Sequence, residues 1–134
     1  MNDRSQGLEV FVINLPRAGE RRESMGRRLG ELGVHFSFFE ATDGRELSAS
    51  AAADACDLGA IRRNLGRDMS RGEIGCAMSH RSVYRKMIED SIPRAVVLED
   101  DIVIDDAFPA ALTALAKRPV RREIVKLDNS LESE

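Results

Sequence analysis

Strand-like and helix-like segments alternate along this chain, and that alternation predicts an α/β sandwich built on a mainly parallel sheet. Three segments carry the reading. Glu9 to Leu15, "EVFVINL", is rich in β-branched and aromatic residues and is stopped by Pro16. Ser70 to Asp90 repeats apolar residues at helical spacing behind the S-x-x-E capping box of Ser70 and Glu73. Arg94 to Glu99, "RAVVLE", is again a short, mostly apolar run. With 134 residues, 43% hydrophobic and 32% charged, the chain has the size and composition of one globular domain, 1–134.

The elements follow in order. After the first strand, Met25, Leu29 and Leu32 recur at i, i+4, i+7, which predicts an amphipathic helix with a basic outer face and a stop at Gly33. A second strand is expected over His35 to Ala41, closed by the turn pair Asp43-Gly44. Residues 45–69 carry a weaker signal: Ser48 caps a short alanine-rich helix ending near Gly59, followed by an irregular or partly helical connection. In the long helix from Ser70, the residues Ile74, Ala77, Met78, Tyr84, Met87 and Ile88 form the apolar side. Gly72, Gly75, Cys76, Ser79, His80 and Val83 lie around a different side. Pro93 precedes a strand at Arg94 to Glu99, then a helix from about Ala107 to Lys117 capped by Asp105 or Asp106. A last strand is expected at Glu123 to Leu127, before a polar tail ending "NSLESE".

The net charge of -3 is unevenly placed. Residues 1–94 hold 15 Lys/Arg against 14 Asp/Glu, and residues 95–134 hold 5 against 9. No basic stripe with interleaved aromatics points to nucleic acid. The polar start Met1 to Gln6 leads into no signal-like segment, and no run approaches the roughly 20 apolar residues of a membrane span. The expected location is cytoplasmic, with a peripheral place at the inner face of the membrane also compatible. Cys56 and Cys76 form no C-x-x-C pair and read as free thiols.

The feature that demands a function is "AVVLEDDIVID", in which Glu99, Asp100 and Asp101 stand together at the end of an apolar strand. Two carboxylates roughly 6 Å apart repel by about 3 kcal/mol at the effective dielectric of a protein surface. The triplet is therefore either a solvated turn or a site that holds a cation. In parallel sheets ligands bind beyond the carboxyl ends of the strands, where both Asn14 and these acids fall. Alternation along extended backbone turns Glu99 and Asp101 to one side and Asp100 to the other. A pair at i, i+2 can converge on Mg2+ or Mn2+, which prefers oxygen ligands and leaves positions for water and substrate phosphate.

Read together, "VFVINLPRAGERRESM", "FFEATDG", "GEIGCAMSHRSVYRKM" and "AVVLEDDIVI" resemble glycosyltransferase family 25, the lipopolysaccharide and lipooligosaccharide galactosyltransferase family. The four blocks run in the family's order and spacing from Val10 to Ile104. The resemblance implies a Rossmann-like nucleotide-sugar-binding sandwich of the GT-A type. It also implies a metal-dependent, inverting transfer of a sugar, galactose from UDP-galactose, to a glycan or lipid-linked glycan acceptor. Glu99-Asp100-Asp101 occupies the position of the family's D-x-D-type motif, with Glu in place of the first Asp. Asp101 and Glu99 are then the candidate ligands of Mn2+ or Mg2+, and Asp100 a contact to the donor's ribose or sugar.

Other residues join the candidate donor site beside plainer readings. Arg17, Arg21 and Arg22 follow the first strand and can meet phosphate or uracil oxygens, or can be surface charge. Arg27 and Arg28 belong to the solvated helix face. Asn14 can hydrogen-bond the nucleotide, and Thr42, Asp43 and Gly44 can approach base or ribose, or form a turn unaided. His80, with Ser79 beside it, is either a donor contact or a hydrogen-bonded structural histidine; packing is the plainer role of Ser79 and Cys76. The catalytic base has no assignment.

Family members are longer than this chain, so it reads as a truncated donor-binding half in which the acceptor side is not evident. It can be a natural short protein, a truncated product or an engineered fragment. An incomplete sheet leaves an edge or apolar face on which self-association is plausible. The alternative function is a noncatalytic nucleotide-sugar-binding or assembly module. A phospho-receiver domain also gathers strand-end acids around magnesium, but its acidic pair comes near the chain start, and only Lys126 imitates its late lysine.

Overall fold

The computed structural model describes residues 8–127; the polar start and the "NSLESE" tail lie outside the described residues. Three parallel strands, β1 (Glu9–Asn14), β2 (Ser37–Glu40) and β3 (Ala95–Glu99), form one sheet in the order β2-β1-β3. The helices are α1 (Gly19–Glu31), α2 (Ala49–Ala55), α3 (Leu58–Leu65), α4 (Arg71–Glu89) and α5 (Phe108–Ala116), with a 3-10 turn at Gly44–Glu46. The expected α/β class with a parallel sheet is therefore present, consistent with a Rossmann-like fragment of the GT-A type.

The topology follows from handedness. β2 and β3 lie on opposite sides of β1, so right-handed crossovers place α1 and α4 on opposite faces. The side-chain parity of the strands agrees. Val10, Val12, Val96 and Leu98 pack with Met25 and Leu29 of α1, and Phe108, Leu112 and Leu115 of α5 join them. Phe11 and Ile13 pack with Val83 of α4. β1 is buried on both faces, as a central strand of a parallel sheet requires.

Several boundaries are sharper than expected. Gly33 has φ +68, the left-handed conformation that ends α1 as anticipated. The alanine-rich helix stops at Ala55, and a separate α3 begins because Asp57 caps it through Ala60 N (2.9 Å). The Ser70/Glu73 capping box is formed in both directions. At α5 the expected cap is displaced. Asp105 accepts from Ala107 N (2.9 Å) just ahead of the helix, Asp106 pairs with Arg28 (2.8 Å), and Ala107 at the cap position makes no side-chain bond.

Three expectations are corrected. Glu123 to Leu127 is not a strand: among the described residues β3 has only β1 as a strand neighbour, and Ile124 is 88% exposed. Its β-branched composition expresses fitness for a pleated, packed surface, and among the described residues no strand pairs with it. On α4 the buried residues are Ile74, Gly75, Ser79 and Val83, whereas Tyr84 and Ile88 are exposed. Ile74 is buried and Met87 packs on the core as expected, but the buried line is rotated toward the small residues: the 3-10 turn and its approach press on Gly75 and Ser79, and Val83 packs on Phe11 and Ile13 of β1, while Gly72 and Cys76 stay exposed. Arg28 is not simply solvated: its Nε donates to Ile104 O (2.9 Å), tying α1 to the segment after β3.

Candidate functional site

The site lies at the carboxyl ends of β1 and β3, where the crossovers leave β1 in opposite directions; such switch points form the ligand crevice of open α/β sheets. Asn14 ends β1 and shares the α1-side parity of Val10 and Val12. Its Nδ2 donates to Asp100 Oδ2 (2.8 Å) and Ala18 O (3.3 Å), and its Oδ1 is buried without a protein partner. Arg21 of α1 stands 3.5 Å from Asp100 Oδ1. One carboxylate thus joins strand, helix and loop.

Glu99 has the opposite parity and faces α4. Its Oε1 accepts from Cys76 Sγ (3.3 Å) and lies 3.1 Å from His80 Nε2. These donor atoms of Cys76, His80 and Glu99 all lie within 4.8 Å of one another, a set of residue types able to hold a metal ion. Asp101 stands exposed outside that cluster, because the strand ends at Glu99 and residues 100–101 form a turn. The i, i+2 rule expires where extended backbone does. Loss of solvent around the sulfur, then the Glu99 carboxylate, then the charge of Asp101, push the Cys76 thiol up to about 11.

The second loop reaches the same end of the sheet. Asp43 caps the 3-10 turn through Arg45 N (3.1 Å) and pairs with Arg17 (3.3 Å). Thr42 N donates to Ser79 Oγ (2.8 Å), which in turn donates to Gly75 O (2.7 Å). A Cβ on Gly44 would lie 1.7 Å from Arg71 O, and one on Gly75 would lie 2.6 Å from Gly44 N. Both glycines exist so that loop and helix can touch backbone to backbone. Ser79, 1% exposed, and buried Gly44 consequently hold the loop in place and face no open space.

Of the residues singled out in the sequence, Asn14, Arg21 and Asp100 are brought together, His80 and Glu99 form a second contact, and Arg17 joins Asp43. Arg22 departs from them: its guanidinium lies 4.1 Å above the Phe38 ring. Cys76, read as a packing residue, proves to be a member of the Glu99 cluster. A legible signal existed, since Cys76 and His80 stand at i, i+4 on one helix face.

With this geometry in view, the sequence profile of "Glycosyltransferase family 25 (LPS biosynthesis protein)" matches residues 8–134. The chain belongs to glycosyltransferase family 25. It is 36% identical over 110 residues to procollagen galactosyltransferase 2 of Homo sapiens, covering 80% of this chain and 18% of that protein. A glycosyltransferase 25 family member of Drosophila pseudoobscura pseudoobscura is 33% identical over 126 residues, 89% of this chain and 19% of its own length. The "probable inactive glycosyltransferase 25 family member 3" of Rattus norvegicus is 36% identical over 110 residues, 80% of this chain and 19% of its own. The chain thus spans less than a fifth of these relatives. No helix among the described residues is long and apolar enough to cross a membrane.

Proposed function

We propose that this chain is the donor-binding part of a glycosyltransferase that moves galactose from UDP-galactose to a glycan acceptor. The observation that carries the reading is the meeting of Asn14, Arg21 and Asp100 at the switch point, with a buried Asn14 Oδ1 that has no protein partner. A buried acceptor without a donor is costly, and a hydroxyl or N–H of a bound nucleotide or an ordered water would satisfy it. Arg17 and Arg21 supply positive charge for a diphosphate, and Asp43 and Thr42 line the neighbouring loop. A lipopolysaccharide or lipooligosaccharide acceptor is the family-level expectation.

Metal dependence belongs to the same proposal. Glu99 is 46% exposed along its side chain and Asp101 is exposed, so the oxygen donors that Mn2+ or Mg2+ prefers stand at the open end of the sheet. Glu99 and Asp101 would hold the ion once the exposed Asp101 turns from its loop position toward Glu99, and the bound ion would neutralise diphosphate charge as the glycosidic bond breaks. Around that position Arg21 and Arg17 orient the diphosphate, while Asp100, held by Asn14, offers a carboxylate to the sugar or ribose hydroxyls.

Titration calorimetry of the chain with UDP-galactose tests this. Binding should require Mn2+ or Mg2+ and weaken by at least about tenfold in Asp101→Asn. Folded protein that binds no nucleotide sugar with either metal overturns the reading. A second reading, a module that binds the donor without turning it over, is favoured by the likeness to the Rattus norvegicus relative named as probably inactive. It predicts binding with neither transfer nor donor hydrolysis, and turnover by the purified chain eliminates it.

A further inference from the structure

The cluster on the α4 side of the sheet has a chemistry of its own. Cys76 and His80 project from successive turns of α4, and Glu99 meets them from the end of β3. We propose that Cys76, His80 and Glu99 form a binding site for a zinc-class divalent ion. Thiolate, imidazole and carboxylate are the three side-chain donors that zinc takes, whereas magnesium sites are built from oxygen.

Two of the three distances agree with the donor types, and the third, from sulfur to imidazole nitrogen, is within 4.8 Å. Zinc bonds of about 2.0–2.3 Å in a tetrahedron place neighbouring ligand atoms about 3.3–3.7 Å apart. Here Glu99 Oε1 is 3.3 Å from the sulfur and 3.1 Å from the imidazole nitrogen, so those two edges need only a few tenths of an ångström of expansion. An ion among the three atoms binds the sulfur as thiolate, its proton leaving to solvent, and Nε2 of the neutral imidazole whose proton sits on Nδ1. Three protein ligands leave the fourth tetrahedral position open, the pattern of zinc sites that accept water or a ligand.

The supporting shell is firm. Gly75 and Ser79, flanking Cys76 and His80 on the helix, are buried against the 3-10 loop through the Thr42–Ser79–Gly75 hydrogen bonds. Both helix ligands therefore sit on a docked element, which limits the reorganisation needed for binding. Glu99 is shared with the oxygen site proposed for the donor's metal, but the two readings separate experimentally because no nucleotide sugar is needed here.

The probe is the metal alone. Titration of the full chain with Co2+ should produce a near-ultraviolet thiolate-to-cobalt charge-transfer band that Zn2+ abolishes and excess Mg2+ does not. Cys76→Ser should lose the band, Cys56→Ser and Asp101→Asn should keep it, and His80→Ala and Glu99→Gln should each weaken cobalt binding by at least about tenfold. Circular dichroism checks that each variant folds. A measurement on the unmutated protein runs beside them: Zn2+ should slow alkylation of Cys76 at least about tenfold without changing that of Cys56, as read by peptide mass spectrometry. Absence of the band in the unmutated protein, its survival in Cys76→Ser, or undiminished alkylation of Cys76 with Zn2+ overturns the proposal. Loss of UDP-galactose binding with the cobalt band intact would count against the donor reading alone.

Discussion

Glu99, Asp100 and Asp101 illustrate how neighbouring residues part company within one turn of backbone. Strand parity sends Glu99 toward α4, the turn that follows brings Asp100 to Asn14 and Arg21 on the α1 side, and Asp101 in the same turn stays exposed. The repulsion that made the triplet conspicuous is thus relieved by divergence as well as by nearby Arg21. Glu73 shows the same dependence on partners: Arg67 grips it with two hydrogen bonds (2.8 and 3.0 Å) and Ser70 N adds a third, which lower its carboxyl from 4.5 to about 2. A depressed pKa contributes stability above the unfolded value that is lost as pH falls through the folded one. The urea midpoint of the unmutated protein should therefore exceed that of Glu73→Gln at pH 7. The difference should shrink as pH falls below about 4.5 and be nearly gone by pH 2; a gap independent of pH would contradict this coupling.

At the scale of elements, α4 is the organising helix. Its Gly75 and Ser79 let the loop carrying Thr42, Asp43 and Gly44 lie directly on it, and its Cys76 and His80 face the acidic strand end. Gly75→Ala would bring a methyl group against Gly44 N and Thr42 O, backbone atoms that cannot swing aside. Overpacking of this kind costs about 1–3 kcal/mol, so chemical denaturation of Gly75→Ala should show a loss in that range. An unchanged midpoint would mean that loop and helix are not held as described. The motif blocks "FFEATDG" and "GEIGCAMSH" are in part the two halves of this contact, and only in part a ligand surface.

Among the described residues the molecule is built on a three-stranded sheet with β1 at its centre and β3 at one edge, paired only with β1. Tyr84, Ile88, Val103, Ile124 and Val125 line a broad groove beside that edge. Stability should follow the burial map. Val12→Ala, at a site with no exposure, should cost about 1–3 kcal/mol, and Ile124→Ala, 88% exposed, should stay within about 0.5 kcal/mol of the unmutated protein. Comparable losses at both positions would show that the 120–127 segment belongs to the core after all.

Local pattern was enough for the α/β class, the parallel sheet, β1, α1 with its Gly33 stop and α4 with its capping box, because periodicity and capping act over a few residues. It was also enough to bring Asn14 and the acids to one end of the sheet, since that follows from strand direction alone. Tertiary packing determined the rest. Whether "EIVKL" at 123–127 pairs depends on a neighbouring edge, and which face of α4 is buried depends both on how it seats on β1 through Val83 and on how closely a distant loop approaches Gly75 and Ser79. Long-range contacts also put Cys76 beside Glu99, 23 residues away, and left Asp101 outside their cluster. No spacing rule reaches across a loop and a strand end, so the metal-binding types were visible in the sequence while their grouping was not.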